Sequence, residues 1–96
     1  MIKHIVCFKL KDNCPEACEK AAGILRSMEG KVPMLKGIEV GTDCLHSQRS
    51  YDIILQVWLE NMDALDAYQQ DPYHCSVVKK HMHAAAESSI AVDYHV

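Results

Sequence analysis

A tyrosine and a histidine lie on either side of an Asp-Pro break, and both side chains are of types that transfer protons. The segment AYQQDPYH places Tyr68 before the break and His74 after it. A neutral imidazole can abstract a proton near physiological pH, and a phenol can donate to a developing enolate or alkoxide. The pair suffices for enolisation, aldol closure or lactone isomerisation. We interpret His74 as a candidate catalytic base and Tyr68 as a candidate catalytic donor.

The same two residues also allow two interpretations without catalysis. A buried histidine bonded to a carbonyl, with a tyrosine packed across the helix break, would satisfy both polar groups structurally. Alternatively, both side chains could line a pocket that binds a small apolar or aromatic molecule without converting it. Residue types and spacing alone leave the enzyme, the binding protein and the purely structural interaction domain open.

The first of two helices that position the pair is predicted from Met62 to the residues before Pro72. Asn61 can cap its start, and a residue that precedes proline is disfavoured in the helical region. Met62, Leu65 and Tyr68 recur at steps of three, which places Tyr68 on the apolar face.

The second helix is predicted to begin at Pro72, with Asp71 as its cap, and to continue to about Ala86. One face is predicted from spacings of four, three and four residues, and it comprises His74, Val78, His81 and Ala85. This α-helical spacing makes His81 a candidate ligand-binding residue beside His74.

Four alternating segments predict strands, and a helix follows the first of them. The first strand runs from about Ile2 to Lys9, and His4, Val6 and Phe8 share one of its faces. Pro15 suits the first turn of the following helix, and Gly30 is a natural left-handed stop. The other strands are a short one at residues 38–40, the strong SYDIILQVWLE and the final SIAVDYHV.

The predicted order β-α-β-β-α-β defines the fold class as α+β. It is the ferredoxin-like plan, a four-stranded antiparallel sheet with its helices on one face. No linker or repeat divides residues 1–96, so we expect a single domain.

The sheet face that points away from the helices is predicted to be apolar. If Val6, Phe8, Leu55 and Val57 face the helices, the opposite face carries Ile5, Cys7, Ile54 and Trp58. Patches of this kind usually mark an interface, and two sheets packed about a two-fold axis would cover them. We expect these four residues to form a homodimer interface, although a different partner would cover them equally well.

Composition narrows the function classes. The net charge of −3 and the lack of a basic cluster beyond Lys79-Lys80 give no reason to expect nucleic acid, and no apolar run approaches the ~20 residues needed to span a membrane. Five cysteines without a Cys-x-x-Cys pair or an export signal predict reduced thiols in a cytoplasmic protein. We expect no metal and no cofactor.

The chain resembles the stress-responsive dimeric alpha-beta barrel (Dabb) domain family along essentially its whole length. The resemblance is carried by MIKHIVCFKLKD, GKVPMLKGIEVGTD, RSYDIILQVWLE, LDAYQQDPYHCSVV and VDY. It implies a ferredoxin-like protomer and a dimer in which two sheets form a barrel. Most members are uncharacterised, and the implied function is that of a small homodimeric protein with no assigned reaction.

Similarity to a plant member that cyclises a linear polyketide implies roles for individual residues. It makes Tyr68 and His74 catalytic and places pocket histidines at His4 and at Ile53, where this chain departs from the pattern. We therefore expect a pocket between sheet and helices, with His4, Ile53, Phe8 and His81 as binding residues. The alternative is a cofactor-independent cyclase or isomerase of polyketide-like or lactone substrates.

Overall fold

The computed structural model describes all 96 residues and has eight regular elements. Their order is β1 (Ile2–Leu10), α1 (Pro15–Arg26), β2 (Gly37–Thr42), β3 (Ile53–Leu59), α2 (Met62–Gln70), a π-helical segment (His74–Lys79), α3 (Lys80–Ala85) and β4 (Ala86–His95). This order confirms the ferredoxin-like plan. No helix has the length and apolar character required to cross a membrane.

The four strands form one antiparallel sheet in the spatial order β2-β3-β1-β4. β1 is central, and His4 lies between Val57 of β3 and Asp93 of β4. β2 is longer than the predicted residues 38–40 because Gly37 and Thr42 also join the ladder with β3. β4 forms the edge of the sheet opposite β2 and pairs only with β1.

The core lies between the helices and the β1–β3 half of the sheet. Alternate residues of β3 point inward, and Leu55, Val57 and Leu59 pack against Leu25 of α1 and Tyr68 of α2. β4 receives no such cover, because every residue from Glu87 to the chain end is exposed. The helical layer is thus narrower than the sheet, which leaves a groove along β1 and β4.

The helix that begins after Asp71 is not α-helical throughout. The prediction of a continuous α-helix to about Ala86 is wrong from His74 to Lys79, where the turn is π-helical. A π turn bonds residue i to residue i+5 and so contains more residues than an α turn. The residues that follow are rotated relative to a regular helix, and Met82 becomes the buried residue of α3.

Candidate functional site

The groove between the helical layer and strands β1 and β4 is the site at which the predicted catalytic residues meet. It encloses about 340 Å³. Its walls, which are largely apolar, are formed by His4, Val6, Phe8, Leu25, Leu55, Tyr68, Gln69, His74, Val78, Lys79, Met82, His83, Ser89 and Ala91. Ser89 and Ala91 are small and exposed on β4, so the groove opens to solvent on that side.

The rings of Tyr68 and His74 are stacked at the inner end of the groove. Their centroids lie 4.1 Å apart and their planes differ by 19°. Asp71 fixes this arrangement, because its buried carboxylate accepts a hydrogen bond of 3.0 Å from the backbone N–H of His74. The Asp-Pro break is thus a cap that starts the second helix directly beside the end of α2.

The imidazole of His74 is held in one tautomer. Its Nδ1 lies 2.9 Å from the carbonyl oxygen of Tyr68. A carbonyl only accepts, so Nδ1 carries the proton and Nε2 of the neutral ring keeps its lone pair. Nε2 makes no hydrogen bond within the protein. Every buried side-chain nitrogen and oxygen has a hydrogen-bond partner, so an Nε2 without one is not buried. Nε2 is therefore accessible from the groove.

The electrostatic surroundings of His74 favour this neutral form. Burial lowers the pKa of its imidazole, the bond to the Tyr68 carbonyl opposes that effect, and the positive charge of Lys79 adds to it. A neutral imidazole with an accessible Nε2 in an apolar groove can accept a proton from a bound molecule.

His4 presents a second imidazole to the same groove. Its Nδ1 donates a hydrogen bond to the carboxylate of Asp93, which lies opposite it on β4. Its ring meets the ring of Tyr68 edge-on at a centroid distance of 5.6 Å. A carboxylate that binds one ring nitrogen orients the imidazole and directs the other nitrogen toward the groove.

The hydroxyl of Tyr68 is directed away from the groove. Tyr68 is fully buried, and its O–H donates to Sδ of Met28 at 3.8 Å. Burial, together with the negative charge of Asp71, raises the pKa of the phenol, so it keeps its proton at neutral pH. In this conformation the ring of Tyr68 forms a wall of the groove, while its hydroxyl bonds within the core.

Two residues predicted to bind a ligand do not line the groove. Ile53 is fully buried in the core on β3, and β1 lies between it and β4. His81 lies beside Leu10 and Lys20 instead, because the π turn rotates α3 relative to the assumed α-helix. The structure brings together His4, Phe8, Tyr68 and His74.

Two groove residues, Ser89 and Lys79, and the His4 partner Asp93 were not found from the sequence. Asp93 and Ser89 depend on the register between β4 and β1, which alternation alone does not specify. Lys79 depends on the π turn, which has no periodicity signal of its own. Val78 was placed on the correct face, and its apolar spacing was the available signal.

The outer face of the sheet is the second candidate surface, and it extends beyond the four predicted residues. Ile5, Cys7, Ile54 and Trp58 are half-buried there. β4 adds three exposed apolar side chains, which are Ile90, Val92 and Tyr94. We call these seven residues the outer apolar face.

The indole of Trp58 lies flat on this face. A Cβ atom at Gly37 would be 3.3 Å from its ring, and the Lys3 ammonium lies 4.8 Å from the ring centroid. Elsewhere, the five cysteines are unpaired, and no group of three His, Cys, Asp or Glu side chains is arranged to hold a metal ion.

The fold and the groove define a ferredoxin-like α+β protein with a site between its helices and its sheet. A family model described as Stress responsive A/B Barrel Domain (Dabb) matches residues 2–96, and the chain belongs to this family. No curated protein matches the chain.

Solved structures with the same fold cover nearly the whole chain. A dimeric ferredoxin-like protein of unknown function from Thermobifida fusca YX has 25% identity and a TM-score of 0.85, with 99% of this chain and 90% of that chain covered. A dimeric protein of unknown function from Bacteroides fragilis NCTC 9343 has 28% identity and a TM-score of 0.81, with 99% and 95% covered. Hydroxynitrile lyase from Passiflora edulis shares the fold at 14% identity and a TM-score of 0.84, with 99% and 92% covered.

Proposed function

We propose that this Dabb protein is a homodimer that binds a small apolar or aromatic molecule in the groove of each protomer. The observation that carries the proposal is the accessible Nε2 of His74 at the inner end of an apolar groove of about 340 Å³. Small-molecule sites are typically concave, apolar and of roughly 300–1,000 Å³, with a few directed polar groups. A purely structural role would account for the buried hydroxyl of Tyr68, but it would also bury Nε2 of His74 or give it a partner within the protein.

The outer apolar face supports the homodimer. Its seven residues form one continuous surface across β3, β1 and β4, and such patches usually mark an interface. The similar proteins from Thermobifida fusca and Bacteroides fragilis are described as dimeric. The five unpaired cysteines are consistent with the reducing conditions of the cytoplasm, where we place the protein.

Ligand binding is tested by thermal-shift screening of small aromatic and polyketide-like compounds. A ligand present at a hundred times its dissociation constant should stabilise the fold by ~2.7 kcal/mol. Ala91→Phe should abolish the shift by filling the groove from β4, whereas Ala67→Phe, on the exposed side of α2, should leave it unchanged. Equal shifts in both variants would place the ligand elsewhere and refute the proposal.

A second candidate function is proton abstraction from a bound carbon acid, as in cyclases or isomerases of polyketide-like or lactone substrates. The fixed tautomer of His74 favours it, because the neutral ring offers a lone pair at Nε2 without prior deprotonation. Tyr68 would act as the donor only after its hydroxyl leaves Met28.

Deuterium incorporation into benzoylacetone in heavy water, followed by NMR, measures this step directly. The wild type should accelerate exchange, and His74→Gln should lose the acceleration while it keeps the fold and the oligomeric state. Tyr68→Phe separates the donor role, since it preserves the ring wall. An unchanged exchange rate in His74→Gln would remove the enzyme hypothesis and leave ligand binding in place.

A further inference from the structure

One lysine of the groove has no acidic partner. Lys79 lies at the end of the π-helical segment, is half-buried and lines the groove. Its ammonium donates a 2.9 Å hydrogen bond to the carbonyl oxygen of Gln69 in α2. This bond holds the charge against the groove wall and leaves two of the three ammonium donors free.

The charge of Lys79 is not neutralised within the chain. The only ion pairs within 4 Å are His4–Asp93 and His46–Asp43. Of the carboxylates near the inner end, Asp93 bonds His4 and Asp71 bonds the backbone N–H of His74. A protein with a net charge of −3 thus places an unpaired cation in an apolar groove.

The π turn is what places this cation beside His74. Lys79 is the fifth residue after His74, and five steps of an α-helix advance about 1.4 turns, so the two side chains would point to different sides. A π turn bonds residue i to residue i+5, so the two side chains lie on nearly the same side. The two side chains are close enough to interact electrostatically, because the positive charge of Lys79 contributes to the lowered pKa of His74.

From this arrangement we infer that the ligand of the groove is a carboxylic acid with an apolar or aromatic body. The two free donors of the Lys79 ammonium suit the two oxygens of one carboxylate, and Phe8 and Met82 suit the apolar body. Lys79 is itself only half-buried, so a carboxylate bound to it keeps contact with solvent, which limits its desolvation. The inference rests on the proposed ligand-binding function and specifies its ligand class.

The experiment compares matched acids and amides by isothermal titration calorimetry. The probes are phenylacetate and phenylpropionate, each paired with its neutral amide, at low ionic strength. The wild type should bind each acid roughly tenfold or more tightly than its amide, because a hydrogen bond to a charged group is worth at least that ratio. Added salt should reduce this preference.

Two lysine variants identify the charge responsible. Lys79→Met should weaken binding of the acids by roughly tenfold or more and binding of the amides much less, so that the preference for the acids is lost. Lys80→Met removes the neighbouring exposed lysine, which lies outside the groove, and should preserve the preference. Lys79→Gln provides a polar replacement if the methionine variant is poorly folded.

The outcomes test the carboxylate inference separately from the proposed ligand-binding function. Equal affinity of the wild type for acid and amide overturns the carboxylate inference and leaves ligand binding intact. An acid preference that survives in both Lys79 variants also overturns it. If neither probe series binds nor stabilises the protein, the ligand-binding function fails as well.

Discussion

The outer apolar face should hold two protomers together, and Ile90 offers a direct test of this. It lies in the row that crosses the sheet from Ile90 through Cys7 to Ile54, and it is 51% exposed in the protomer. Because a fully buried Ile side chain is worth ~1.5–3 kcal/mol, covering the exposed half is worth about 0.8–1.5 kcal/mol. A two-fold axis buries Ile90 of both protomers, so this free energy contributes twice. Ile90→Ser should therefore raise the dissociation constant of the dimer by roughly tenfold to a hundredfold.

Sedimentation velocity over a concentration series measures the dissociation constant. Leu45→Ser is the matched control, since Leu45 is 75% exposed in the loop between β2 and β3 and lies off the outer apolar face. Thermal unfolding of the dilute protomer should differ little between the two variants. A wild type that is monomeric at micromolar concentration, or equal dissociation constants for Ile90→Ser and Leu45→Ser, would refute the reasoning.

Three further predictions concern stability. Asp71→Ala should lower the free energy of unfolding by about 1 kcal/mol, because the cap to the His74 N–H is lost. Asp71→Asn should retain most of this stability, since its side-chain oxygen can still accept the bond. Equal losses in the two variants, measured by urea denaturation, would contradict the capping role. Burial lowers the pKa of His74 below 6.5, so below pH 6.5 the unfolded chain takes up a proton that the folded one does not. The free energy of unfolding should therefore fall as the pH drops below 6.5, and it should fall less in His74→Asn. Identical pH profiles of stability for the wild type and His74→Asn would contradict this role of His74. Gly30 has φ of +81°, so Gly30→Ala should destabilise by roughly 1 kcal/mol, and a neutral effect in thermal unfolding would show that the turn relaxes.

Alternation in the sequence predicted the sheet well because burial imposes a period of two on its central strands. β3 shows this most clearly, with Ile53, Leu55 and Val57 inward and Ile54 and Trp58 outward. The closeness of Tyr68 and His74 followed from local chemistry at the Asp-Pro break. Both features depend on residues near one another in the chain.

Features that depend on distant pairing or irregular turns were not predictable. Asp93 reaches His4 across 89 positions through a register that no local signal determines. The assignment of His81 to the groove assumed 3.6 residues per turn, and the π turn invalidates that assumption locally. The outer apolar face was predicted too short for a related reason. The pairing of β4 with β1 is part of the tertiary structure, and no local pattern in the sequence specifies it.

The π turn also has an evolutionary consequence. Removing one residue between His74 and Lys79 would restore a regular α-helix with better hydrogen-bond geometry, and the lysine would then follow His74 by four positions and stay on the same side. A single codon deletion could therefore make this helix regular while it leaves both groove side chains and every strand in place.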